Sequence, residues 1–251
     1  MKINPYFRST LAKPFQGKVL HEVGTPVVIS AEVQTKALGK FLVIVPDPVS
    51  LNLNNAQNAA DKCEQLRIRI NSSKQFTVFS KILIEEKQIA GLSPEKVLSL
   101  DPQANILRKL DEQKVYEYMQ SSMGIIVSLI TSIESFLNLT IPYDYTLEVE
   151  RKGIKELLDK AQIVRRFSIE DKIELIGKIK NKEKVKQEPF WSTFKEIKGL
   201  RDEIIHFKNT DKKVGEIWNP ILVFLFDSDL QKLIDDTITL IDYFHPDYLK
   251  L

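Results

Sequence analysis

Two residues in one predicted helix have the chemistry needed to cut RNA without a metal ion. Arg201 and His206 are separated by four residues within the apolar-periodic segment 190–208. Arginine is a permanent cation whose planar side chain suits phosphate, and histidine exchanges a proton readily near neutral pH. One residue can hold the phosphate while the other activates the ribose 2′-hydroxyl or protonates the leaving oxygen. The same spacing also occurs in helices where the arginine is solvated and the histidine packs.

Two upstream segments accompany this pair in a specific order. The first reads Glu-x-Phe-x-Asn over Glu134–Asn138, and the second reads Ser-x-Glu-x-Lys over Ser168–Lys172. With the Arg-x4-His pattern, in which the polar Asp202 follows the arginine, they resemble the HEPN superfamily. HEPN domains are small helical bundles that include many prokaryotic RNase toxins. The resemblance covers roughly residues 102–245 and says nothing about residues 1–100.

The resemblance implies a function as well as a fold. It implies a metal-independent endoribonuclease, of the kind that acts as a stress or phage-defence effector, with a composite active site in a homodimer. In that interpretation His206 is the general acid or base, and Arg201 stabilises charge that develops on the phosphate. Asp202 orients the arginine or a water molecule.

Helix geometry bears on the same pair. Residues five apart on an ideal helix point about 140° from each other, so Arg201 and His206 cannot both face one phosphate from a regular helix. Either the helix is bent, or two copies of the chain meet. The resemblance implies the second arrangement, and two-fold dimers are the commonest oligomers.

Glu134 and Asn138 are the supporting candidates. Glu134 could form an ion pair with Arg201 across the bundle. Its role could be that of a structural ion pair between helices or a direct part in catalysis. Asn138 could donate or accept a hydrogen bond at the edge of the cleft. Both alternatives for Glu134 are open at the level of sequence.

Charge is unevenly distributed along the chain. Residues 151–213 contain 18 Lys/Arg and 11 Asp/Glu, a net charge of +7, although the whole chain carries only +2. Clustered positive charge attracts phosphate backbones without reading their sequence. A solvated loop between helices is the alternative interpretation. The candidate RNA-binding residues are Lys180, Lys182, Lys184, Lys186 and Lys208.

The remaining composition excludes several classes of protein. Three histidines spread over the chain give no metal-ligand spacing, and a single Cys63 cannot form an intramolecular disulfide. Gly-rich phosphate loops and serine-hydrolase elbows are missing from the sequence. The longest apolar run, Met123–Ile130, is too short for a membrane span of about 20 residues. We therefore expect a cytoplasmic protein without a metal or cofactor and without a membrane partner.

Hydrophobic periodicity predicts two regions: an α+β module over residues 1–100 and an all-α antiparallel bundle over 101–251. The module would recognise RNA, a trigger or an antitoxin. A non-catalytic HEPN-like bundle used for binding or dimerisation is the alternative function.

The strands predicted in the module are Val27–Val33, a buried Phe41–Val45, Leu66–Ile70 and Gln75–Ile84, with a short helix at Asn54–Gln65. The helices predicted in the bundle, which starts at Asp101-Pro102, are Ala104–Leu139, Arg151–Arg166, one capped by Ser168, Phe190–Lys208, and Ile217–Asp242 with a break near Asp227–Asp229.

Overall fold

The computed structural model describes most of the chain, with gaps that are concentrated near the N-terminus. The residues described are 8–10, 15–16, 20–21, 26–72, 76–79, 92–108, 110–151, 153–205, 214–246 and 248–249. His206 and Lys208 lie outside this set, as do Gln75 and residues 80–84 of the strand predicted at Gln75–Ile84.

Within the described residues, ten short strands form five separate antiparallel pairs. The pairs are β1–β4, β2–β3, β5–β6, β7–β8 and β9–β10. The strands are β1 (Arg8–Thr10), β2 (Phe15–Gln16), β3 (Leu20–His21), β4 (Pro26–Val28), β5 (Ser30–Thr35), β6 (Gly39–Ile44), β7 (Phe76–Phe79), β8 (Asn105–Arg108), β9 (Thr146–Arg151) and β10 (Ile154–Asp159).

Eight α-helices occur in the same described ranges. They are α1 (Pro48–Asn71), α2 (Pro94–Leu100), α3 (Glu112–Thr140), α4 (Lys160–Arg166), α5 (Ile169–Ile179), α6 (Phe190–Ile205), α7 (Val214–Asp227) and α8 (Leu230–Phe244). A short 3-10 helix, Glu183–Gln187, lies between α5 and α6. The fold is therefore mixed, with short antiparallel strands near the N-terminus followed by helices.

The C-terminal region is not all-α, because β9 and β10 form a hairpin ahead of α4. The helix predicted over Arg151–Arg166 is wrong in its first half and begins only at Lys160. Arg151 pairs with Ile154 across a two-residue loop that ends in Gly153, where φ is +77°. A positive φ favours glycine and suits tight hairpin turns, so this glycine turns the chain back.

The strand predicted at Leu66–Ile70 is also wrong, because these residues continue helix α1. Leu66 and Ile70 are buried, whereas Ile68 between them is 63% exposed. Residues four apart share one face of a helix. Leu66 and Ile70 therefore both face the core, although the sequence between them alternates. The predicted helix Asn54–Gln65 exists but is part of the longer Pro48–Asn71.

Strand β6 is not buried as predicted for Phe41–Val45. Among the described strands it pairs with β5 alone, and Leu42 and Ile44 are 73% and 42% exposed. A continuous apolar run favours a strand covered on both faces, but this two-stranded hairpin exposes the side chains of its outer face to solvent.

The entry into the long helix also differs from the prediction. Asp101 does not start a helix: it follows α2, and its backbone N–H caps that helix by donating to the Val97 carbonyl. Residues Asn105–Arg108 form strand β8 against β7, so the helix predicted from Ala104 begins at Glu112.

Two predicted boundaries are confirmed. Ser168 caps α5 in a capping box: its side-chain oxygen accepts from the Asp171 backbone N–H, and the Asp171 carboxylate accepts from the Ser168 backbone N–H. The predicted break in the last helical segment falls between Asp227, where α7 ends, and Leu230, where α8 begins.

The chain divides into two compact units, Met1–Ala60 with Met123–Leu251, and Asp61–Ser122. The boundaries between these units fall within α1 and at Ser122–Met123 within α3. Buried side chains of the larger unit include many from α3, α5, α6 and α8. Its fully buried residues include Ile125, Leu129, Ile133, Phe136, Ile173, Ile176, Ile197, Ile234 and Ile241.

Helix α3 is the one helix in the described part that is long and apolar enough to cross a membrane, with a mean hydropathy of 1.5 over an 18-residue window. Core helices of water-soluble proteins meet the same criterion. Several α3 side chains, among them Ile126 and Leu137, are completely buried within the protein.

Candidate functional site

Arg201 and Asp202 lie near the C-terminal end of α6 and contact each other. Arg201 Nη1 donates to Asp202 Oδ1 at 2.9 Å, and the two side chains are 29% and 43% exposed. Ile197 and Leu200 are buried and anchor this part of the helix in the core. The guanidinium is therefore partly accessible and lies in contact with the Asp202 carboxylate.

The second residue of the predicted pair follows the end of the described helix. His206 lies outside the described residues, so no distance joins it to Arg201. The helix ends at Ile205, which is 45% exposed. Packing of α6 therefore depends on residues such as Phe194 and Ile197 rather than on Ile205.

Asp202 belongs to a chain of alternating charges that reaches another helix. Its Oδ2 atom is 3.4 Å from Lys198 Nζ, and the same ammonium is 3.4 Å from Glu170 Oε1 on α5. Lys195 Nζ binds that glutamate oxygen as well, at 2.9 Å. Sequence reasoning missed Lys198, although its position four residues before Asp202 is the spacing at which opposite charges meet on a helix.

These contacts keep both carboxylates ionised. Partial burial raises the pKa of Asp202, but the hydrogen bond from Arg201 and the nearby charge of Lys198 together bring it below the ordinary value. The hydrogen bond from Lys195 is the largest cause that lowers the pKa of Glu170. Both groups are therefore anions at neutral pH and act as acceptors for the surrounding cations.

Glu134 binds a lysine of the middle segment and not Arg201. Its Oε1 atom is 3.2 Å from Lys172 Nζ, which joins α3 to α5. The two side chains differ in their surroundings, because the lysine is 1% exposed and the glutamate 41%. This contact agrees with the structural alternative that the sequence left open for Glu134.

Asn138 is located four residues after Glu134 on α3. Its Oδ1 atom is buried and accepts no hydrogen bond from any residue that the structure describes. Buried amide oxygens normally have a partner. The predicted hydrogen bond at the cleft edge therefore has no partner within these ranges, and the role of Asn138 stays a prediction.

The basic segment divides into anchored and exposed lysines. The Lys182 ammonium donates to the Tyr243 carbonyl and lies 4.9 Å from the centre of that ring. Lys186 forms an ion pair with Glu174 at 2.5 Å. Lys180 and Lys184 are exposed and take part in no ion pair among the described residues. Of the four predicted lysines that the structure describes, two thus have protein partners and two are free to meet a polyanion.

The other candidate groups have structural surroundings. Burial raises the pKa of the Cys63 thiol to about 11, which makes it a poor nucleophile at neutral pH. His245 follows α8, and its backbone N–H donates to the Ile241 carbonyl. No group of three or more His, Cys, Asp or Glu side chains that could hold a metal ion occurs within the described ranges.

Comparison of the chain with protein-family models, with curated proteins and with solved structures gave no match. The HEPN resemblance therefore depends on the three residue patterns alone.

Proposed function

We propose that this chain is a metal-independent endoribonuclease of the HEPN type, with a composite active site in a homodimer. One observation carries the proposal: ion pairs join all three segments that resemble the family. Glu134 of the first segment binds Lys172 of the second, and Glu170 of the second binds Lys198 of the Arg201 helix. Segments that lie far apart in the sequence thus meet around the helix that carries Arg201.

The proposed chemistry is an intramolecular attack on RNA. The ribose 2′-oxygen attacks the adjacent phosphorus and loses its proton, the bond to the 5′-oxygen breaks, and that oxygen leaves with a proton. His206 transfers one of these protons, and Arg201, oriented by Asp202, neutralises charge that builds up on the phosphate. The product is a 2′,3′-cyclic phosphate, and neither a metal ion nor a cofactor is needed.

Biologically, such an enzyme would act as a prokaryotic stress or phage-defence effector in the cytoplasm. In this proposal the N-terminal residues 1–100 recognise RNA, a trigger protein or an antitoxin. The alternative function is a HEPN-like binding or dimerisation module in which Arg201 has only a structural role. The partial exposure of Arg201 favours the enzyme, because a purely structural arginine gains little from an ion pair open to solvent.

The two classes of lysine lead to a prediction about RNA binding. We expect Lys180→Gln combined with Lys184→Gln to weaken binding of single-stranded RNA and to reduce the slope of log K against log salt. The reduction should be roughly 0.7 for each phosphate that the protein no longer neutralises. Thermal stability should stay the same because both side chains are exposed. Filter binding at several salt concentrations measures the slope.

Lys182→Gln is the control, since it removes one positive charge from the same segment. Its ammonium contacts Tyr243, so we expect a loss of roughly 1–2 kcal/mol in the free energy of unfolding and an unchanged salt slope. If Lys182→Gln reduces the slope as much as the double variant does, the division into anchored and exposed lysines is wrong.

The composite site can be tested by complementation. Arg201→Ala and His206→Ala chains are co-expressed with different tags, and the mixed dimer is isolated by two sequential affinity steps. Each parent should be inactive, whereas the mixed dimer retains one intact combination of Arg201 and His206. We expect about half of the wild-type cleavage rate, because a two-fold dimer has two equivalent half-sites.

The result that contradicts the composite site is a mixed dimer as inactive as its parents. A wild-type chain that cuts RNA while scattering light as a particle of 28.9 kDa, rather than about twice that mass, contradicts it equally.

A further inference from the structure

We propose that Lys198 and Glu170 are positioning residues that orient Arg201 through Asp202. The inference rests on the proposed function and adds residues to the same site. Three consecutive contacts carry it: Arg201 Nη1 to Asp202 Oδ1 at 2.9 Å, Asp202 Oδ2 to Lys198 Nζ at 3.4 Å, and Lys198 Nζ to Glu170 Oε1 at 3.4 Å.

The Asp202 carboxylate is held at both of its oxygens. Consecutive residues of a helix point about 100° apart, so the contact between Arg201 and Asp202 requires both side chains to turn toward each other. Lys198, one turn earlier, binds the second oxygen and prevents the carboxylate from rotating away. It is also the least exposed of these four charged side chains, at 25%.

Glu170 connects this chain to an element that is itself firmly placed. It lies in the first turn of α5, where negative charge is favoured by the helix dipole. The capping box of Ser168 and Asp171 fixes that turn, and Ile173 and Ile176 of the same helix are completely buried. Because Glu170 is held by α5, the contacts that orient Arg201 are fixed relative to the buried core.

Stability alone does not account for the arrangement. Ion pairs with this degree of exposure contribute little to the free energy of folding. A phosphate-binding guanidinium, in contrast, needs a fixed direction, because small misplacements of a catalytic group lower the rate strongly. The network supplies such a direction without burying the arginine.

The chain offers a matched control in Lys195. This lysine binds the same oxygen of Glu170, at 2.9 Å, but it lies seven residues before Asp202 and does not contact it. Lys195→Gln and Lys198→Gln thus remove the same charge from the same helix and differ in whether Asp202 loses a partner.

The experiment measures RNA cleavage and the mobility of Arg201 in full-length protein. For Lys198→Gln we expect kcat to fall roughly 10-fold, KM to stay within about 2-fold of the wild-type value, and Lys198→Arg to recover most of the loss. The heteronuclear NOE of the Arg201 Nε–Hε group should fall in Lys198→Gln and in Glu170→Ala. Lys195→Gln should leave all of these quantities unchanged.

The inference is overturned if Lys195→Gln and Lys198→Gln raise KM equally. Both lysines would then act only as charges that attract RNA. If the wild-type chain cuts no RNA, the proposed function fails, and the NMR signal alone decides the positioning role. An Arg201 signal that is unchanged in Lys198→Gln overturns that role whatever the activity.

Discussion

Replacing Glu134 with alanine is expected to lower the free energy of unfolding by roughly 3 kcal/mol, which is the lower end of the range for breaking a buried pair. The reason is the asymmetry of the pair, in which Lys172 is 1% exposed and Glu134 is 41% exposed. Without the glutamate, a buried ammonium keeps no anionic partner among the described residues. For a unit of this size the loss corresponds to a Tm lower by roughly 6–12 °C, measured by thermal or urea unfolding.

Lys172→Met is the control for this asymmetry. The substitution keeps an unbranched apolar stem in the core, and the partly exposed Glu134 carboxylate that remains can be hydrated. We expect a change below about 1 kcal/mol, and a double variant close to Lys172→Met alone, because buried pairs replaced by apolar groups are often neutral. A Lys172→Met variant as unstable as Glu134→Ala would show that the burial of the lysine does not decide the effect.

Residues that cap helices or break them made two helix boundaries predictable. Ser168 with Asp171 defines the start of α5, and Asp227–Asp229 defines the break before α8. These signals are local, since each depends on hydrogen bonds within a single turn. Sequence therefore locates them without knowledge of the tertiary contacts.

The strands were less predictable because their periodicity is ambiguous. In Leu66–Ile70 an alternating pattern belongs to a helix, whereas Ile154–Asp159 has apolar spacing compatible with a helix and forms a strand. The alternation of Thr146–Glu150 and the glycine at 153 indicate the hairpin. These two signals are weak evidence for a strand, because the apolar residues after the turn also fit a helix.

The sequence identifies charged side chains of the candidate site, but it does not identify which of them contact one another. Arg201 with Asp202 follows from adjacency, and the contact exists. The partner of Glu134 could not be derived, because Lys172 and Arg201 are both cations and only the packing of α3 against its neighbours selects between them. Sequence spacing shows which charges lie on one helix, but it does not show which helices face each other.

The largest expected effect on activity is that of His206→Ala. If His206 transfers a proton, the substitution should lower the cleavage rate roughly 10²–10⁴-fold, the range for general acid–base residues. Arg201→Lys should lower it roughly 10²-fold, because lysine keeps the charge but loses the planar, two-pronged donor. Gel assays of RNA cleavage at equal protein concentration measure both losses.

Folding provides the control for these two variants. Phe194, Ile197 and Leu200 are buried and hold α6 in place, so both variants should melt within a few degrees of wild type. If both instead melt far lower, and wild type shows no cleavage, the residues are structural, and the binding or dimerisation module is the better account.

The central claim is that Arg201 and His206 cut RNA without a metal ion. The measurement that tests it most directly is mass spectrometry of single-stranded RNA incubated with wild-type protein, or with His206→Ala, in excess EDTA. We predict fragments that end in a 2′,3′-cyclic phosphate with wild type and intact RNA with the variant. Cleavage that appears only after magnesium is added, or cleavage that is equal in the two samples, contradicts the account.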